Sequence, residues 1–288
     1  MPDRTPAPSL DDTQCATDTL SQLAAFADTH ARRMPFDTTP RHLAGPGDAR
    51  HVTHGLAAAG WTRTSDPLSP QIVLRSHDHR HSLQFDPQST TSAWWRLRAE
   101  ATDTEPGWYA EFGELVPAEL IGSLADTLIA PPPREQPTPW RVLSSAGWLL
   151  DAPDAAHAPD ALCHIELRHV DHHDTPSWHI ETRRHDHGTP AGPRIWHAWF
   201  DSRTPSHLVT AFTAALADPA PLQRGMYDRI AHHSVVQRPS PLTSQQVVEA
   251  HTARLDAIRR MTRTIHRPRP RAAAAPAKAT TAQPTARR

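Results

Sequence analysis

The sequence predicts an α+β fold made of two tandem units, and the strongest indication is an internal repeat. Residues 108–128 recur as residues 196–216 without a gap. In each copy an alternating stretch is followed by a proline and then by apolar residues at helical spacing, which predicts a strand that leads into a helix. The aligned residues are Trp108, Ala110, Phe112, Pro117, Leu120, Leu124 and Leu128 in the first copy, and Trp196, Ala198, Phe200, Pro205, Leu208, Phe212 and Leu216 in the second.

The first unit is predicted to span residues 40–130 and to run helix, about four antiparallel strands, helix. An amphipathic stretch behind Asp48 predicts the first helix, and Gly60 ends it. Alternating apolar residues predict the strands, and the last helix begins at Pro117. The strands are centred on residues 72–74, 83–85, 95–99 and 108–112, with a polar hairpin tip at residues 76–80 between the first two.

The second unit is predicted to span residues 139–218, after a proline-rich linker at residues 131–138. Between Trp148 and Ile165 this copy is five residues shorter than the first. We therefore expect its first hairpin to be trimmed and the polar tip to have no counterpart.

The apolar sheet face of each unit must be covered, and two arrangements would achieve this. Either the two helices of each unit cover its own sheet, or the two sheets share one core as a pseudo-twofold body. The short linker after Ala130 favours the shared core.

The units are flanked by two extensions. Residues 1–39 are predicted to form an N-terminal arm with one helix. Residues 219–265 are predicted to form a helical extension, with a short helix at residues 221–233 and a longer amphipathic helix at residues 243–265. Residues 266–288 lack apolar periodicity, so we expect a disordered basic tail.

The charge of the chain is distributed unevenly. The formal net charge of the 288 residues is −1, but residues 254–288 contain nine arginines, one lysine and a single aspartate. Residues 1–253 are therefore acidic overall. An acidic body with a basic end predicts attraction of that end to an acidic partner, such as nucleic acid or an acidic protein surface.

Cysteine usage and hydropathy predict a cytoplasmic protein without membrane association. Cys15 and Cys163 are the two cysteines, and they match neither a disulfide framework nor a zinc-binding spacing. The N-terminus lacks the apolar core of a signal peptide, and no window approaches the length of a membrane helix. No phosphate loop or dinucleotide fingerprint is present, so no cofactor is expected.

Several motifs together resemble the SPDY domain, a domain of unknown function that occurs in actinomycetes, often in tandem. The motifs are residues 41–48 (RHLAGPGD), 60–61 (GW), 76–78 (SHD), 95–97 (WRL) and 108–112 (WYAEF), and Thr204 and Pro205 followed by Phe212 and Leu216. The namesake motif would have proline where this chain has His77. The resemblance covers roughly residues 40–218. It implies a tandem repeat in a cytoplasmic protein, but no activity, ligand or catalytic residue. Because the second copy is expected to lack the tip, a function that needs it would belong to the first copy.

Three histidines at the first hairpin, His77, His79 and His81, would share one face of a strand, a geometry that can bind a metal ion. However, the chain contains 21 histidines, so such clusters also arise by composition alone. We favour a solvated hairpin tip and predict no metal site.

The predicted sheet offers a second candidate site. Six tryptophans recur in register and are assigned to the core, namely Trp61, Trp95, Trp108, Trp148, Trp178 and Trp196. Trp94 and Trp199 are expected on the opposite face. With Arg96 and Arg98 they could form an aromatic and basic surface for nucleic acid or peptide. Alternatively, the N-terminal helix or the neighbouring unit covers them.

The basic C-terminal end is a third candidate. Arginines of this kind gain affinity for phosphates by counterion release, without sequence specificity. The alternatives are a solubilising tail or contact with an acidic protein surface. The candidate contact residues are Arg254, Arg259, Arg260, Arg263, Arg267, Arg269 and Arg271.

Catalytic motifs are missing from the sequence, including GxSxG and any nucleophile spaced from a base. We therefore favour a non-enzymatic binding module for a macromolecular partner, associated with nucleic acid through the sheet face and the basic end. The alternative is a protein-interaction or assembly module, including self-association. A more remote alternative is a metal-dependent hydrolase that uses a histidine cluster.

Overall fold

The computed structural model describes residues 24–169, 176–184 and 192–266. Its centre is one antiparallel sheet of ten strands, to which each unit contributes five, in the order β2-β3-β4-β5-β6-β11-β10-β9-β8-β7. The first unit supplies β2 (Thr62–Arg63), β3 (Ile72–Arg75), β4 (His81–Phe85), β5 (Ala93–Ala99) and β6 (Trp108–Gly113). The second supplies β7 (Leu149–Ala152), β8 (Ala155–His157), β9 (Cys163–Arg168), β10 (Ser177–Arg183) and β11 (Arg194–Phe200).

The two units join at the centre of this sheet through β6 and β11. The paired residues are Ala110 with Phe200, Glu111 with Trp199, and Phe112 with Ala198. Glu111 and Trp199 hold the same position in the two copies and lie opposite each other. A pseudo-twofold axis therefore passes between them, and the pseudo-twofold body is confirmed.

Four helices cover one face of the sheet and close a single hydrophobic core. They are α2 (Arg50–Ala58) and α3 (Ala118–Ile129) of the first unit, and α4 (Pro139–Ser145) and α5 (Ser206–Ala217) of the second. The predicted assignment of the in-register tryptophans to the core is confirmed. Five of them are buried, and Trp178 is partly buried against the ring of Trp140.

A further layer of two helices lies on α2. Residues 24–31 form α1, and Ser244–His266 form α6. Phe26 of α1 is fully buried, and its ring stacks on that of His251 at 4.0 Å. His54 of α2 and His251 of α6 are both buried, and His54 Nδ1 lies 3.2 Å from His251 Nε2. Polar aromatic rings thus join this layer to the first unit.

The short helix predicted at residues 221–233 is wrong. Residues Leu222–Gly225 form β12, which pairs with β1 (Pro35–Thr39), and β1 pairs in turn with β13 (Val236–Pro239). Local periodicity could not reveal this small sheet, because its central strand lies in the N-terminal arm. The N-terminal arm and the C-terminal extension therefore pair with each other in one three-stranded sheet.

The expectation that the second unit lacks the hairpin tip is also wrong. Asp160 Oδ1 accepts a hydrogen bond from the N–H of Leu162, as Asp78 Oδ1 does from Arg80. Ala161 and His79 both have positive φ, 56° and 57°. The five missing residues are absent from the loop between β7 and β8 instead, where the first unit has the longer connection from β2 to β3. Each unit therefore has a tip of the same conformation.

Candidate functional site

The face of the sheet opposite the helices carries no helix among the described residues, and we call it the open face. Strand alternation directs to it the side chains that do not contribute to the core. Its centre is the β6–β11 junction, where the pseudo-twofold axis emerges. Trp199 and Glu111 are both partly exposed here.

An aromatic strip crosses the centre of the open face. The rings of Tyr109 and Trp199 lie 5.7 Å apart, and those of Trp199 and His179 lie 6.4 Å apart. The guanidinium of Arg98 lies 5.2 Å from the centre of the Tyr109 ring, a cation–π contact. Flat rings beside a guanidinium group are suited to stacking on planar ligands.

A carboxylate holds the polar groups of the strip in place. The Tyr109 hydroxyl donates to Glu111 Oε2 at 3.1 Å, and His197 Nε2 lies 3.3 Å from Glu111 Oε1. The hydrogen bond from His197 is the main cause that lowers the pKa of Glu111. Burial raises the pKa of Tyr109, and the charge of Glu111 and the hydrogen bond between the two side chains raise it further. Glu111 therefore stays ionised and fixes both neighbouring rings.

A second carboxylate, Glu181 of β10, lies two strands from Glu111 and forms ion pairs with several arginines. Its Oε2 accepts from Arg183 at 2.6 Å, and its Oε1 lies 3.4 Å from Arg194. Burial alone would raise the pKa of Glu181, but the hydrogen bond and charge of Arg183 outweigh it and lower the pKa. Arg168 adds a third guanidinium at 3.9 Å. Because Arg168 also forms a closer ion pair with Glu166, two carboxylates face three guanidinium groups here.

The open face carries net positive charge on an otherwise acidic body. Its outward positions hold six arginines and four acidic residues, namely Arg75, Arg96, Arg98, Arg168, Arg183 and Arg194 with Glu111, Asp151, Glu166 and Glu181. A shallow cavity of about 380 Å³ lies over the centre, lined mainly by Glu111, His179, Glu181, Arg194, His197 and Trp199. An anionic ligand with planar groups would find charge and stacking surfaces together here.

The structure separates the two tryptophans that were expected to share this surface. A register shift between Ala93 and Trp95 interrupts the alternation of β5. As a result, Trp94 packs against the hydrophobic core beside Phe85, at 6.3 Å between ring centres. A β-bulge of this kind redirects a side chain that strict alternation would place outward. Trp199 remains on the open face.

Arg96 and Arg98 lie on the open face as predicted. Arg96 pairs across the strands with Glu111, and its Nη2 donates to Thr91 Oγ1 at 2.7 Å. Arg98 is exposed apart from its contact with Tyr109.

The basic C-terminal residues do not extend this surface, because α6 lies on the helical side of the sheet. Arg254 donates to both carboxylate oxygens of Asp126, at 2.7 and 2.6 Å, so its role is structural. Arg259 pairs with Asp256 on its own helix. Arg260 and Arg263 are exposed, whereas Arg267, Arg269 and Arg271 lie outside the described residues.

The three histidines at the first hairpin point in different directions. His77 and His79 are exposed in the turn, whereas the His81 ring lies on the core side, 6.3 Å from Trp61 and 6.1 Å from Trp108. Among the described residues no three His, Cys, Asp or Glu side chains are arranged to hold a metal ion. The tip itself is closed by Ser76, whose hydroxyl donates to Asp78 at 2.6 Å.

The sequence did not single out the polar side chains of the site. Alternation along residues 108–112 predicts that Tyr109 and Glu111 point outward, but the contact of Glu111 with His197 depends on pairing between the two units. Glu181 and its arginines are spread over β9, β10 and β11. The one available signal was the alternation of each strand.

Comparison with known families identifies two segments of the chain. Residues 75–134 and residues 157–222 each match the SPDY domain, a domain of unknown function (DUF317). Both matches begin at a hairpin tip and run through the second helix of the unit. The predicted tandem resemblance is thereby confirmed. No curated protein and no solved structure matches the chain. No helix among the described residues is long and apolar enough to cross a membrane.

Proposed function

We propose that the two SPDY domains of this chain, joined through one sheet, bind single-stranded nucleic acid on the open face. The observation that supports this most is the aromatic strip of Tyr109 and Trp199 within a field of arginines. Antiparallel sheets with aromatic residues on central strands stack exposed bases, and arginines beside them neutralise phosphates. The module is proposed to bind rather than to catalyse.

The charge distribution supports a polyanion over a neutral ligand. The chain up to residue 253 is acidic, yet the open face concentrates arginines. Glu111 and Glu181 are committed to internal hydrogen bonds, which keeps their charges from repelling phosphates at full strength. Long-range repulsion by the remaining acidic surface favours a short or flexible strand over a rigid duplex.

Fluorescence anisotropy with labelled single-stranded oligonucleotides tests the proposal. Trp199→Ala should weaken binding about 5- to 150-fold, the effect of removing one stacked base contact. Tyr227→Ala is the matched control, because Tyr227 is an aromatic residue that is 94 % exposed on another part of the molecule. Unchanged affinity in Trp199→Ala, or an equal loss in Tyr227→Ala, would overturn the proposal.

The salt dependence separates the sheet from the basic tail. Arg98→Gln should lower the slope of log affinity against log salt by about one, as expected for one lost phosphate contact. Chains shortened after residue 266 should keep the Trp199 effect even if their overall affinity falls. Loss of all binding in the shortened chain would instead assign recognition to the tail.

A second candidate function is self-association through the edge of the sheet. Strand β7 lies at one end of the strand order and is exposed throughout, with Leu149 54 % and Leu150 52 % exposed. An exposed apolar edge strand is a template for pairing with another chain. Sedimentation velocity should show a concentration-dependent dimer that Leu150→Lys abolishes, and a monomer at all concentrations would exclude it.

A further inference from the structure

Each unit has a pocket between its hairpin tip and the ends of its two helices, and we call these the first and second tip pockets. Their volumes are about 230 and 200 Å³. The first is lined by Ala59, Trp61, Ser76, His77, Leu128 and Ile129, and the second by Ala146, Trp148, Ala158, Pro159, Leu216 and Ala217. These residues correspond one to one through the repeat. The pockets differ in what lies at their mouths.

A segment of the chain closes the second tip pocket. His42 is 3 % exposed, and its Nε2 lies 2.8 Å from Asp160 Oδ2. The backbone carbonyl of His42 accepts from the indole N–H of Trp196 at 2.7 Å. Burial would raise the Asp160 pKa, but the hydrogen bond from His42 outweighs it and lowers the pKa. The tip aspartate and the β11 indole thus hold the segment from two sides.

The neighbouring arginine completes this closure at the end of α5. Arg41 Nη1 donates to the carbonyl of Ala215 at 2.8 Å, and its Nη2 donates to Asp218 at 2.6 Å. The C-terminal end of a helix carries unpaired carbonyls and partial negative charge, which a guanidinium group satisfies. The second tip pocket is therefore built to take a basic segment.

The first tip pocket presents the same groups without that segment. Asp78 stands for Asp160 in its lining, and behind the His81 ring Trp108 stands for Trp196, but the Trp108 indole N–H has no acceptor among the described residues. At the C-terminal end of α3 the described residues provide no guanidinium group. The end of α6 lies at the mouth instead, where Thr262 and Ile265 contribute to the lining.

We infer that the first tip pocket binds the arginine-rich segment that follows α6, residues 267–271, as the second binds Arg41 and His42. The position of the segment supports this, because Ile265 already lines the pocket and Arg267 follows two residues later. The sequence places Pro268 and Pro270 between the arginines of this segment, and proline disfavours continuation of an α-helix.

Charge complementarity also supports this occupant. Around the first tip the acidic residues outnumber the basic ones: Asp78 is in the turn, and Glu105 forms an ion pair with Arg80, which offsets part of this negative charge. The loop that begins at Glu100, whose N–H donates to the carbonyl of Arg80 at 2.8 Å, adds Asp103. Three arginines within residues 267–271 match this field. This inference is independent of the open face, which lies on the other side of the sheet.

Hydrogen exchange on the full-length chain tests the inference. Replacing Arg267, Arg269 and Arg271 by glutamine should accelerate amide exchange at residues 76–81 about tenfold, as expected for losing a hydrogen bond to a charged group. Exchange at residues 158–163 of the second tip should not change. The matched control replaces Arg287 and Arg288 by glutamine and should alter neither tip.

Further measurements test whether residues 267–271 of the same chain occupy the first tip pocket. A synthetic peptide of residues 264–274, added to the triple variant, should restore protection at the first tip and fail to do so when Asp78 is replaced by asparagine. Exchange at the first tip that is the same in the triple variant and the parent chain would overturn the inference. Protection in the parent chain that rises with protein concentration would also overturn it, because the segment would then dock into a second copy.

Discussion

Strands β5 and β10 are equivalent strands of the two units. Their residues are similar in type on the face toward the helices and different in type on the open face. Toward the helices, Trp95 and Leu97 of β5 correspond to Trp178 and Ile180 of β10. Toward the open face, Arg96 and Arg98 correspond to His179 and Glu181. The inner residues must fill the same space in both copies, because one core serves both. The outer residues are free of that constraint, so under the proposed function their difference would set what each unit contributes to binding on the open face.

The helical side shows a second difference. In the first unit α2 is covered by α1 and α6, and α2 contributes His54 to their buried contact. In the second unit the corresponding residue of α4 is Arg141, which is exposed. The first unit is therefore held by buried polar and charged pairs, whereas the second is closed by the segment of Arg41 and His42. Equivalent substitutions should have unequal effects.

The largest difference is expected at the start of α3 and α5. Glu119 of α3 binds Arg224, whose side chain is 1 % exposed, with contacts of 2.5 and 3.0 Å. Glu119→Gln should destabilise the protein by about 3–5 kcal/mol, because a buried guanidinium loses its counter-charge. His207 stands at the same position of α5 and forms no ion pair within the described part of the chain, so His207→Gln should change stability by less than about 0.5 kcal/mol. Urea unfolding of both variants measures the contrast, and equal effects would contradict it.

Acid should weaken the first unit before the second. Burial lowers the pKa of His54 to about 4, and burial together with the charges of His51, His54 and Arg254 lowers that of His251 to about 3. Asp48, Glu119 and Arg50 also face this cluster. In the unfolded chain these histidines take up protons near their ordinary pKa. In the folded chain they take up protons only at lower pH, because their pKa values are lowered. Stability should therefore fall as pH drops below about 6.5, by about 1.4 kcal/mol per pH unit for each histidine.

Unfolding at pH 7, 6 and 5 measures this slope, and hydrogen exchange shows where it acts. His251→Gln removes one titrating group and should flatten the slope, whereas His233→Gln, at an exposed position, should leave it unchanged. Once the slower intrinsic exchange at pH 5 is corrected for, protection should be lower at pH 5 than at pH 7 in α1, α2 and α6 and not in α4. A slope that is the same in all three proteins would show that the cluster does not control it.

The same comparison shows how far the sequence could predict the fold. The duplicated strand and helix were predictable because each is a local pattern that occurs twice. The small sheet of β1, β12 and β13 was not, because its pairing joins the two ends of the chain. The second tip was missed although Pro159 and Asp160 are visible in the sequence, since the shorter spacing suggested a trimmed tip instead of a shortened β7–β8 loop.

The candidate site was predictable to a similar degree. Alternation placed Trp199, Tyr109 and Glu111 outward, and the structure agrees. The predicted outward position of Trp94 was wrong, because a β-bulge depends on hydrogen bonding to the neighbouring strand and the alternation of one strand does not reveal it. The contacts of Glu181 with Arg168 and Arg194 required the register of three strands.

A smaller contrast is expected between the equivalent tryptophans of β6 and β11, Trp108 and Trp196. Trp196→Phe removes the indole N–H and leaves the buried carbonyl of His42 without its donor, which should cost about 1–3 kcal/mol beyond the loss of ring contacts. Trp108→Phe removes an N–H that has no acceptor among the described residues, so only the ring contacts are lost. Thermal unfolding of the two variants gives the difference. If docking of residues 267–271 supplies an acceptor to Trp108, the two costs should converge in the full-length chain and diverge in the triple arginine variant.

The smallest contrast lies within the tips. The Ser76 hydroxyl donates to Asp78 at 2.6 Å and accepts from the N–H of His81 at 2.9 Å, whereas the second tip has Ala158 at this position. Ser76→Ala should lower the free energy of unfolding by about 1 kcal/mol. Ala158→Ser should raise it by about 0.5 kcal/mol, because the new hydroxyl can make the same hydrogen bonds in the second tip. The gain is smaller because His42 already engages Asp160. Denaturant midpoints of the single variants and of the double variant measure both effects. A double variant equal to Ser76→Ala alone would mean that His42, rather than the missing hydroxyl, sets the stability of the second tip.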